Sequence, residues 1–256
     1  MKALTQQQQA LKEQFTRTLG YWHPFWDGLL SLDEDFFSAF LEMAAVPWTT
    51  GILEPKVKEF ISIAVNASTT HLYEPALRVH MRNALQHGAS GKEVLEVLEL
   101  VSALGIHTCM VGIPVLSDEL RKAGSGAEIG VAFTPEQEAL KAGFIEKRGY
   151  WAPVWEEVLG RSPEFFKTYL RFSSHPWTAG VLSPKVKELV YIAIDVSATH
   201  LYEPGLRFHI QNAMKYGATV PEILEVYQLV STLGIHTATL GVPMLVEELE
   251  RAGMSL

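Results

Sequence analysis

Histidine, glutamate, tyrosine and arginine occur together in one short segment, THLYEPALRVH at 70–80, and again as THLYEPGLRFH at 199–209. On a helix that begins near Glu74, this glutamate and His80 border an apolar face, and Arg78 lies one turn from Glu74. These three groups could bind a small acid and move a proton. The alternative interpretation is structural: Glu74 stabilises the helix N-terminus and pairs with Arg78, while His80 is a hydrogen-bonded core residue.

Three further side chains of the first half could serve the same chemistry. Glu59 lies in the first turn of an apolar helix predicted over 56–67, where burial would raise the pKa of its carboxyl. Its alternative role is to complement the helix dipole and pair with a neighbouring lysine. His107 lies in a long apolar stretch and must therefore find a polar partner or line a cavity. Trp48 precedes the apolar helix and could form a cavity wall.

These positions have counterparts 129 residues further on, so the sequence predicts two equivalent sets. The predicted catalytic residues are His80, Glu74 and Glu59 in the first set, and His209, Glu203 and Glu188 in the second. The predicted substrate-binding residues are Arg78, His71, His107 and Trp48, and Arg207, His200, His236 and Trp177.

A metal site is another use for such residues, with His71, Glu74, His80 and His107 as ligands. The spacing His-x2-Glu-x5-His is no recognised ligand pattern, and histidines nine residues apart do not share a helix face. We therefore predict no metal and no cofactor.

The pattern of matches shows that the chain is a tandem duplication. Residues 5–124 align without a gap on 134–253, and about half of these positions are identical. We predict one domain over 1–124, a Gly-rich linker over 125–133 and a second domain over 134–256. Apolar residues recur at helical spacing and make up 48% of the 256 residues. The fold class is therefore all-α, with five or six helices in each repeat.

Composition and charge exclude several classes of function. A net charge of −8 without a basic run argues against nucleic acid and anionic membranes as partners. No apolar run approaches the roughly 20 residues of a membrane span, and the N-terminus lacks the apolar stretch of a secretory signal. We therefore expect a cytoplasmic protein. The single cysteine, Cys109, excludes an intramolecular disulfide and a Cys-x-x-Cys redox pair.

The sequence resembles the carboxymuconolactone decarboxylase family, to whose superfamily the alkylhydroperoxidase D-like proteins belong. The resemblance rests on PWTTGILEPKVKEFISIAV, on the following histidine-bearing helix that ends at Gly88-Ala89, and on KEVLEVLELVSALGI. It implies a tandem pair of all-helical domains and a homo-oligomer, with a trimer of tandem chains as the natural assembly.

The resemblance also implies roles for individual residues. The proton-relay glutamate and the histidine of the peroxidase branch match Glu59 and His80, and Glu188 and His209. The two cysteines of that branch are replaced in both copies, by Tyr73 and Ala76 and by Tyr202 and Gly205. An acidic residue of the decarboxylase branch matches Glu74 and Glu203.

The resulting hypothesis is a cofactor-independent, acid–base decarboxylation of a small unsaturated lactone or keto acid. The alternatives are a related isomerase or lactone hydrolase, or a non-catalytic binding protein of the same fold. A thiol peroxidase is disfavoured, because neither repeat has the dithiol.

Overall fold

The computed structural model describes residues 4–124 and 132–254, and within these ranges it is all-helical without a β-strand. Each repeat has seven α-helices, and a short 3-10 turn precedes the last of them. The helices of the first repeat are α1 (Gln6–Leu19), α2 (Phe25–Leu32), α3 (Glu34–Thr49), α4 (Pro55–Ala67), α5 (Glu74–Gln86), α6 (Gly91–Ser102) and α7 (His107–Lys122). Those of the second are α8 (Pro135–Arg148), α9 (Pro153–Arg161), α10 (Pro163–Ala179), α11 (Pro184–Val196), α12 (Glu203–Lys215), α13 (Val220–Ser231) and α14 (His236–Ala252).

The repeats thus contain more helices than the five or six expected, because the periodicity does not show short interruptions. The long stretch over 90–122 is divided at the 3-10 turn Ala103–Ile106, whereas Gly112 and Pro114 lie inside α7. A capping box begins the second repeat, since the Thr134 hydroxyl accepts from the backbone N–H of Gln137 and the Gln137 side chain accepts from the Thr134 N–H. The predicted linker lies largely in 125–131, outside the described residues, so the domain boundaries stay a prediction.

The two repeats share their cores. The buried helices α4 and α11 pack against each other and against α6 and α13, so that each central cluster draws residues from both repeats. At the two ends of the molecule, α14 packs on α2 and α7 packs on α9. Each repeat therefore completes the core of the other, and the carboxy-terminal helix of each covers the amino-terminal helices of its partner.

Two buried ion pairs join the repeats at this centre. Lys58 on α4 is 2% exposed, and its Nζ lies 3.3 Å from an oxygen of Glu225 on α13. At the matching place Lys187 on α11 lies 2.9 Å from Glu96 on α6. Both carboxylates also accept backbone N–H groups from the other repeat, as when the Leu53 amide donates to Glu225 over 2.6 Å. These bonds fix the position of α4 and α11 relative to the partner repeat.

Two continuous helical stretches, Gly91–Lys122 and Val220–Ala252, are long and apolar enough to cross a membrane by length and composition. The expectation that no apolar run approaches the length of a membrane span is therefore wrong for these two stretches when hydropathy is averaged over a window. Only 33% and 22% of their apolar windows is buried within the chain. Each stretch includes a 3-10 turn and an internal proline, and length and composition alone are weak evidence for a span. Their apolar surface is available to another molecule.

The buried pairs give a test of this architecture. Lys58→Met should lower the free energy of unfolding by about 3–5 kcal/mol, because it leaves the Glu225 carboxylate buried without its counter-charge. Lys56→Met removes a partly exposed partner of Glu93 and should cost less than about 1 kcal/mol. Urea unfolding followed by circular dichroism measures both.

The combined variant Lys58→Met, Glu225→Gln should recover much of the loss, because it removes the unpaired charge and keeps an acceptor for the Leu53 amide. Equal losses for the two single lysine variants would contradict a buried pair that joins the repeats.

Candidate active site

Two cavities occupy equivalent places in the two repeats, and each is lined by both halves of the chain. We name each cavity after one of its lining histidines, His80 or His209. The His80 cavity, about 60 Å³, is lined by Tyr21, Trp48, Asn66 and His80 of the first repeat and by Leu233 and His236 of the second, among others. The His209 cavity, about 230 Å³, is lined by Arg148, Tyr191, Asp195 and His209 of the second repeat and by Leu104 and His107 of the first, among others.

A buried glutamate holds the histidine at each cavity. The Nδ1 of His209 lies 2.6 Å from an oxygen of Glu188, and the Nδ1 of His80 lies 2.7 Å from an oxygen of Glu59. The carboxylates are 1% and 0% exposed. With the glutamate ionised, Nδ1–H donates to it and the histidine's Nε2 is left for other work. The resemblance had matched these two pairs, and the structure brings them into contact.

An asparagine one turn after the histidine completes each pair. The Nδ2 of Asn212 donates to the second oxygen of Glu188 over 3.2 Å, and Asn83 donates to Glu59 over 3.1 Å. A carboxylate that accepts two such bonds is fixed in orientation, and it fixes the imidazole in turn. Neither asparagine is among the predicted site residues, although each follows its histidine by three residues in the sequence.

The pairing expected for Glu59 in its structural interpretation is not found. Lys58 is directed to the Pro47 carbonyl and to Glu225, and Lys56 pairs with Glu93. The buried glutamate is therefore available to the histidine.

A histidine from each repeat also reaches across to the opposite cavity. The Nδ1 of His107 lies 2.7 Å from the Nε2 of His200, and the Nδ1 of His236 lies 2.8 Å from the Nε2 of His71. Burial is the main cause that lowers the pKa of both His107 and His236 to about 3. At neutral pH each pair is therefore uncharged, and one imidazole donates a single hydrogen bond to the other.

The loop before the histidine-bearing helix positions His71 and His200. In the first repeat the His71 and Leu72 amides both donate to the Ser68 carbonyl, and Leu72 takes a left-handed conformation with φ 48°. Leu201 does the same with φ 50°. A left-handed leucine is strained, and such strain is retained where the surrounding hydrogen bonds determine the turn. The turn directs each histidine toward the other repeat.

Asp195 is a buried acid that belongs to the His209 cavity alone, since Asn66 takes its place in the first repeat. Its Oδ2 lies 3.9 Å from the Nε2 of His209 and has no hydrogen-bond partner within the described chain. Burial raises the pKa of Asp195 to about 7, although the nearby His209 opposes the shift. A carboxyl that titrates near neutral pH beside an imidazole can hold or release a proton there.

His107, Asp195 and His200 also meet the chemical requirements of a metal site, because one ligand atom from each lies within 4.8 Å of the others. The nitrogens of His107 and His200 that would face the ion are 2.7 Å apart and hydrogen-bonded to each other. An ion would have to break this bond, and the cluster offers it three ligands. The absence of a metal stays a prediction.

Four of the predicted site residues lie away from both cavities. The guanidinium of Arg78 pairs with Glu74 at 2.6 Å, as the helix spacing predicted, but these side chains are 73% and 68% exposed. Arg207 and Glu203 form the same exposed pair in the second repeat. Neither pair lines a cavity. The helix α5 packs mainly on α4 and α12 mainly on α11, and the two pairs lie on the faces that remain in solvent. This geometry agrees with the structural interpretation of Glu74, in which it stabilises the helix N-terminus and pairs with Arg78.

The two tryptophans take different places. Trp48 lines the His80 cavity, as anticipated. Trp177 instead lies one layer behind the His209 cavity, with its ring 5.4 Å from the guanidinium carbon of Arg148. The lining of the His209 cavity also includes three residues that were not predicted from the sequence, Arg148, Tyr191 and Tyr150. The available signal was the mismatch between repeats, because the first has Leu19 and Ser62 where the second has Arg148 and Tyr191.

Comparison with known proteins gives two matches. The model of the carboxymuconolactone decarboxylase family matches residues 34–106 and 163–235, one segment in each repeat. A crystal structure from Burkholderia xenovorans LB400, named as a candidate gamma-carboxymuconolactone decarboxylase subunit, superposes with a TM-score of 0.93 at 45% identity. This match covers 96% of the present chain and 98% of the other. Comparison with proteins of curated function gives no match.

The raised pKa of Asp195 predicts a pH-dependent gain in stability from Asp195→Asn. A carboxyl whose pKa is higher in the folded protein is destabilising when ionised, and this cost develops as the pH rises from about 4 to about 7. At pH 8 the variant should therefore be more stable by roughly 1–3 kcal/mol, and near pH 4 the difference should vanish. Thermal and urea unfolding across this range measure it.

The matched control is Asn66→Asp, which places the same acid in the first repeat and should destabilise the protein at pH 8 but not near pH 4. The lowered pKa values of His107 and His236 act on all three proteins and cancel in the comparison. A difference between Asp195→Asn and the parent that does not change with pH would contradict the raised pKa.

Proposed function

The chain belongs to the carboxymuconolactone decarboxylase family, and from this premise we propose that it is a cofactor-independent acid–base decarboxylase. Its substrate class would be a small carboxylated unsaturated lactone or keto acid. The observation that carries the proposal is the buried Glu188–His209 pair beside a cavity, with the Asp195 carboxyl on the other side of the imidazole.

The reaction needs a stabilised negative charge and a proton. When the substrate carboxylate leaves as CO₂, the electron pair of the broken carbon–carbon bond moves into the unsaturated carbonyl system and forms a dienolate. The imidazolium of His209 donates its Nε2 proton to this dienolate, and solvent returns a proton to the histidine afterwards. Glu188 stabilises the imidazolium through Nδ1 and keeps the ring in place. The lactone itself is the electron sink, so this route uses no cofactor.

Aromatic and apolar walls suit this chemistry. Tyr150 stacks on Phe208 with ring centroids 5.0 Å apart, and Tyr191 stacks on His209 at 4.5 Å. Rings packed against the imidazole exclude water from the place where the dienolate forms. A dry environment strengthens the attraction between the imidazolium and the developing anion.

The composition of the cavity bears on the alternative reactions. The residues that line the His209 cavity include no serine, threonine or cysteine, so a covalent hydrolase would lack its usual nucleophile there. Cys109 is half-buried and packs beside the cluster around Trp155. A lone thiol in this place does not supply the dithiol of a peroxidase. A proton-transferring isomerase would use the same histidine and differs only in whether CO₂ is released.

We propose a cytoplasmic homo-oligomer, a trimer of tandem chains, whose contacts include the outer faces of α7 and α14. Val111, Val115 and Leu116 on α7 are 57%, 59% and 51% exposed. Their counterparts Leu240, Met244 and Leu245 on α14 are 52%, 56% and 45% exposed. Two matching apolar stripes of this kind on a soluble protein favour contact with other copies. The Burkholderia protein is named as a subunit.

Loss of the histidine tests the proposed reaction. His209→Gln should lower the rate of CO₂ release from a panel of carboxylated unsaturated lactones by about 10²–10⁴-fold, because the proton donor is removed. Glu188→Gln should cost less, since it weakens the imidazolium without removing it. The control is His175→Gln, which changes an exposed histidine outside the cavity and should leave turnover near that of the parent.

His80→Gln, alone and combined with His209→Gln, reports the share of the first repeat. If the double variant decarboxylates a confirmed substrate at the parent rate, the assignment fails. Ring opening or double-bond migration without CO₂ would instead identify a lactone hydrolase or an isomerase. A parent protein that binds small acids but turns over none of the panel would point to a non-catalytic binding protein.

The proposed assembly has its own test. Val115→Glu combined with Met244→Glu places charges on both apolar stripes and should convert the oligomer to single chains in light scattering after size exclusion. Lys92→Glu adds negative charge at another exposed place and should leave the assembly intact. A parent protein that runs as a single chain, or that associates with lipid vesicles, would contradict the proposed contacts.

A further inference from the structure

The two cavities of the chain are not chemically equivalent. At three matched positions the His209 cavity has Arg148, Asp195 and Tyr191, where the first repeat has Leu19, Asn66 and Ser62. The lining of the first cavity thus includes histidines but neither an arginine nor an aspartate. The volumes differ in the same sense, about 230 Å³ against about 60 Å³.

Arg148 is a buried cation without a direct salt bridge to any described residue. Its side chain lines the His209 cavity and the residue is 6% exposed. Its hydrogen bond within the described chain runs from Nη1 to the Ser173 carbonyl over 3.0 Å, although a guanidinium has five N–H donors. No carboxylate among residues 4–124 and 132–254 lies within 4.0 Å of it.

The surroundings hold this guanidinium in place. The rings of Trp177 and Tyr191 each lie with their centroids 5.4 Å from the guanidinium carbon of Arg148. Stacking on aromatic faces restricts the orientation of the planar fork and leaves its N–H edge to face the cavity. An isolated buried charge is costly, and a protein usually compensates it with a paired anion. Here the described residues supply no direct salt bridge, and the attraction of Glu188, which is itself bonded to His209 and Asn212, acts over more than 4.0 Å.

Three further polar atoms at this cavity are buried without a hydrogen-bond partner in the described part of the chain: the Tyr191 hydroxyl, Oδ2 of Asp195 and Nε1 of Trp155. Two lining atoms of the His80 cavity, Nε1 of Trp26 and Oδ1 of Asn66, are in the same state, so the tryptophans do not distinguish the cavities. Buried polar atoms are nearly always bonded, so the remaining N–H donors of Arg148, the Tyr191 hydroxyl and Oδ2 of Asp195 around one space favour a ligand that satisfies them. The space is bounded by the rings of Tyr150, Phe208 and Trp155, which suit a small flat molecule.

We infer that the His209 cavity is the carboxylate-binding site of the chain, with Arg148 as the anchor that determines specificity for a small planar acid. The His80 cavity, with Leu19 in place of this arginine, binds no such acid. The inference deepens the proposed function and rests on it for the reaction that follows binding, but the binding itself requires no turnover.

Gly205 provides room for this arrangement. A Cβ built on Gly205 would lie 2.3 Å from Oδ2 of Asp195 and 2.8 Å from the ring of Tyr202. The first repeat has Ala76 at this position and Asn66 instead of the acid. The glycine therefore accompanies the acid in the repeat that has the larger cavity, and an alanine there would push Asp195 toward the space that the ligand would occupy.

Isothermal titration with benzoate, a planar carboxylate, tests the inference on the full chain. We expect one benzoate per chain, and we expect Arg148→Leu to weaken its binding by about ten- to hundredfold, because a charge-assisted bond to the carboxylate is lost. Benzamide has the same shape without the charge. It should bind the parent more weakly than benzoate does, and Arg148→Leu should remove that preference.

The matched control is Arg251→Leu, which removes an exposed guanidinium from the same repeat and should leave benzoate binding unchanged. If Arg148→Leu does not fold by circular dichroism, Arg148→Lys keeps the charge and loses the planar fork, and it should bind benzoate with intermediate affinity. The comparison between benzoate and benzamide on the parent also remains.

Two equivalent benzoate sites per chain, or equal affinity of the parent and Arg148→Leu, would overturn the inference. The result is separable from the reaction. If benzoate binds through Arg148 but no lactone loses CO₂, the proposed function fails and the inference stands. If CO₂ is released and Arg148→Leu binds benzoate as tightly as the parent, the inference fails and the proposed function stands.

Discussion

A carboxylate removed from water must find a cation, a proton or several N–H donors, and this requirement organises the molecule. Within residues 4–124 and 132–254 four glutamates are almost fully buried, two in each repeat. Glu96 and Glu225 are satisfied by a lysine and by backbone amides of the opposite repeat, which ties the halves together. Glu59 and Glu188 are satisfied by a histidine and an asparagine of their own repeat. The same physical demand thus produces the joint between repeats and the polar core of each cavity.

The shared core has a consequence for the cavities. The last helix of each repeat, α7 or α14, covers the first helices of the other repeat. His107 of the first repeat therefore lines the His209 cavity, and His236 of the second repeat lines the His80 cavity. A single repeat would expose the apolar side of α2 or α9 and would leave its cavity open to water. The proposed proton transfer from an imidazolium depends on a dry site, so the intact pair of repeats is the smallest unit that would provide one.

The sequence predicted what local rules determine and missed what depends on distant helices. The start of a helix at Glu74 and its pairing with Arg78 four residues on followed from the sequence. The contact between Glu59 and His80 came from the resemblance, since no local rule joins residues 21 apart. The helical positions of Glu74 and Arg78 correctly predicted that these side chains pair. A helical wheel does not show which face of the helix another helix covers. The packing of α5 on α4 of the same repeat left that pair in solvent.

Duplication within one chain also permits what two separate copies cannot have. In a symmetric pair of identical single repeats, an arginine placed at one cavity would occur at the other, and both would carry the cost of a buried, unpaired guanidinium. In the tandem chain Leu19 fills that space in the first repeat and Arg148 takes it in the second. The first cavity is then smaller and has no buried arginine, while the second keeps a guanidinium with unused N–H donors, the Tyr191 hydroxyl and Oδ2 of Asp195 beside His209. The half that gives up packing in this way is the half equipped to bind an acid.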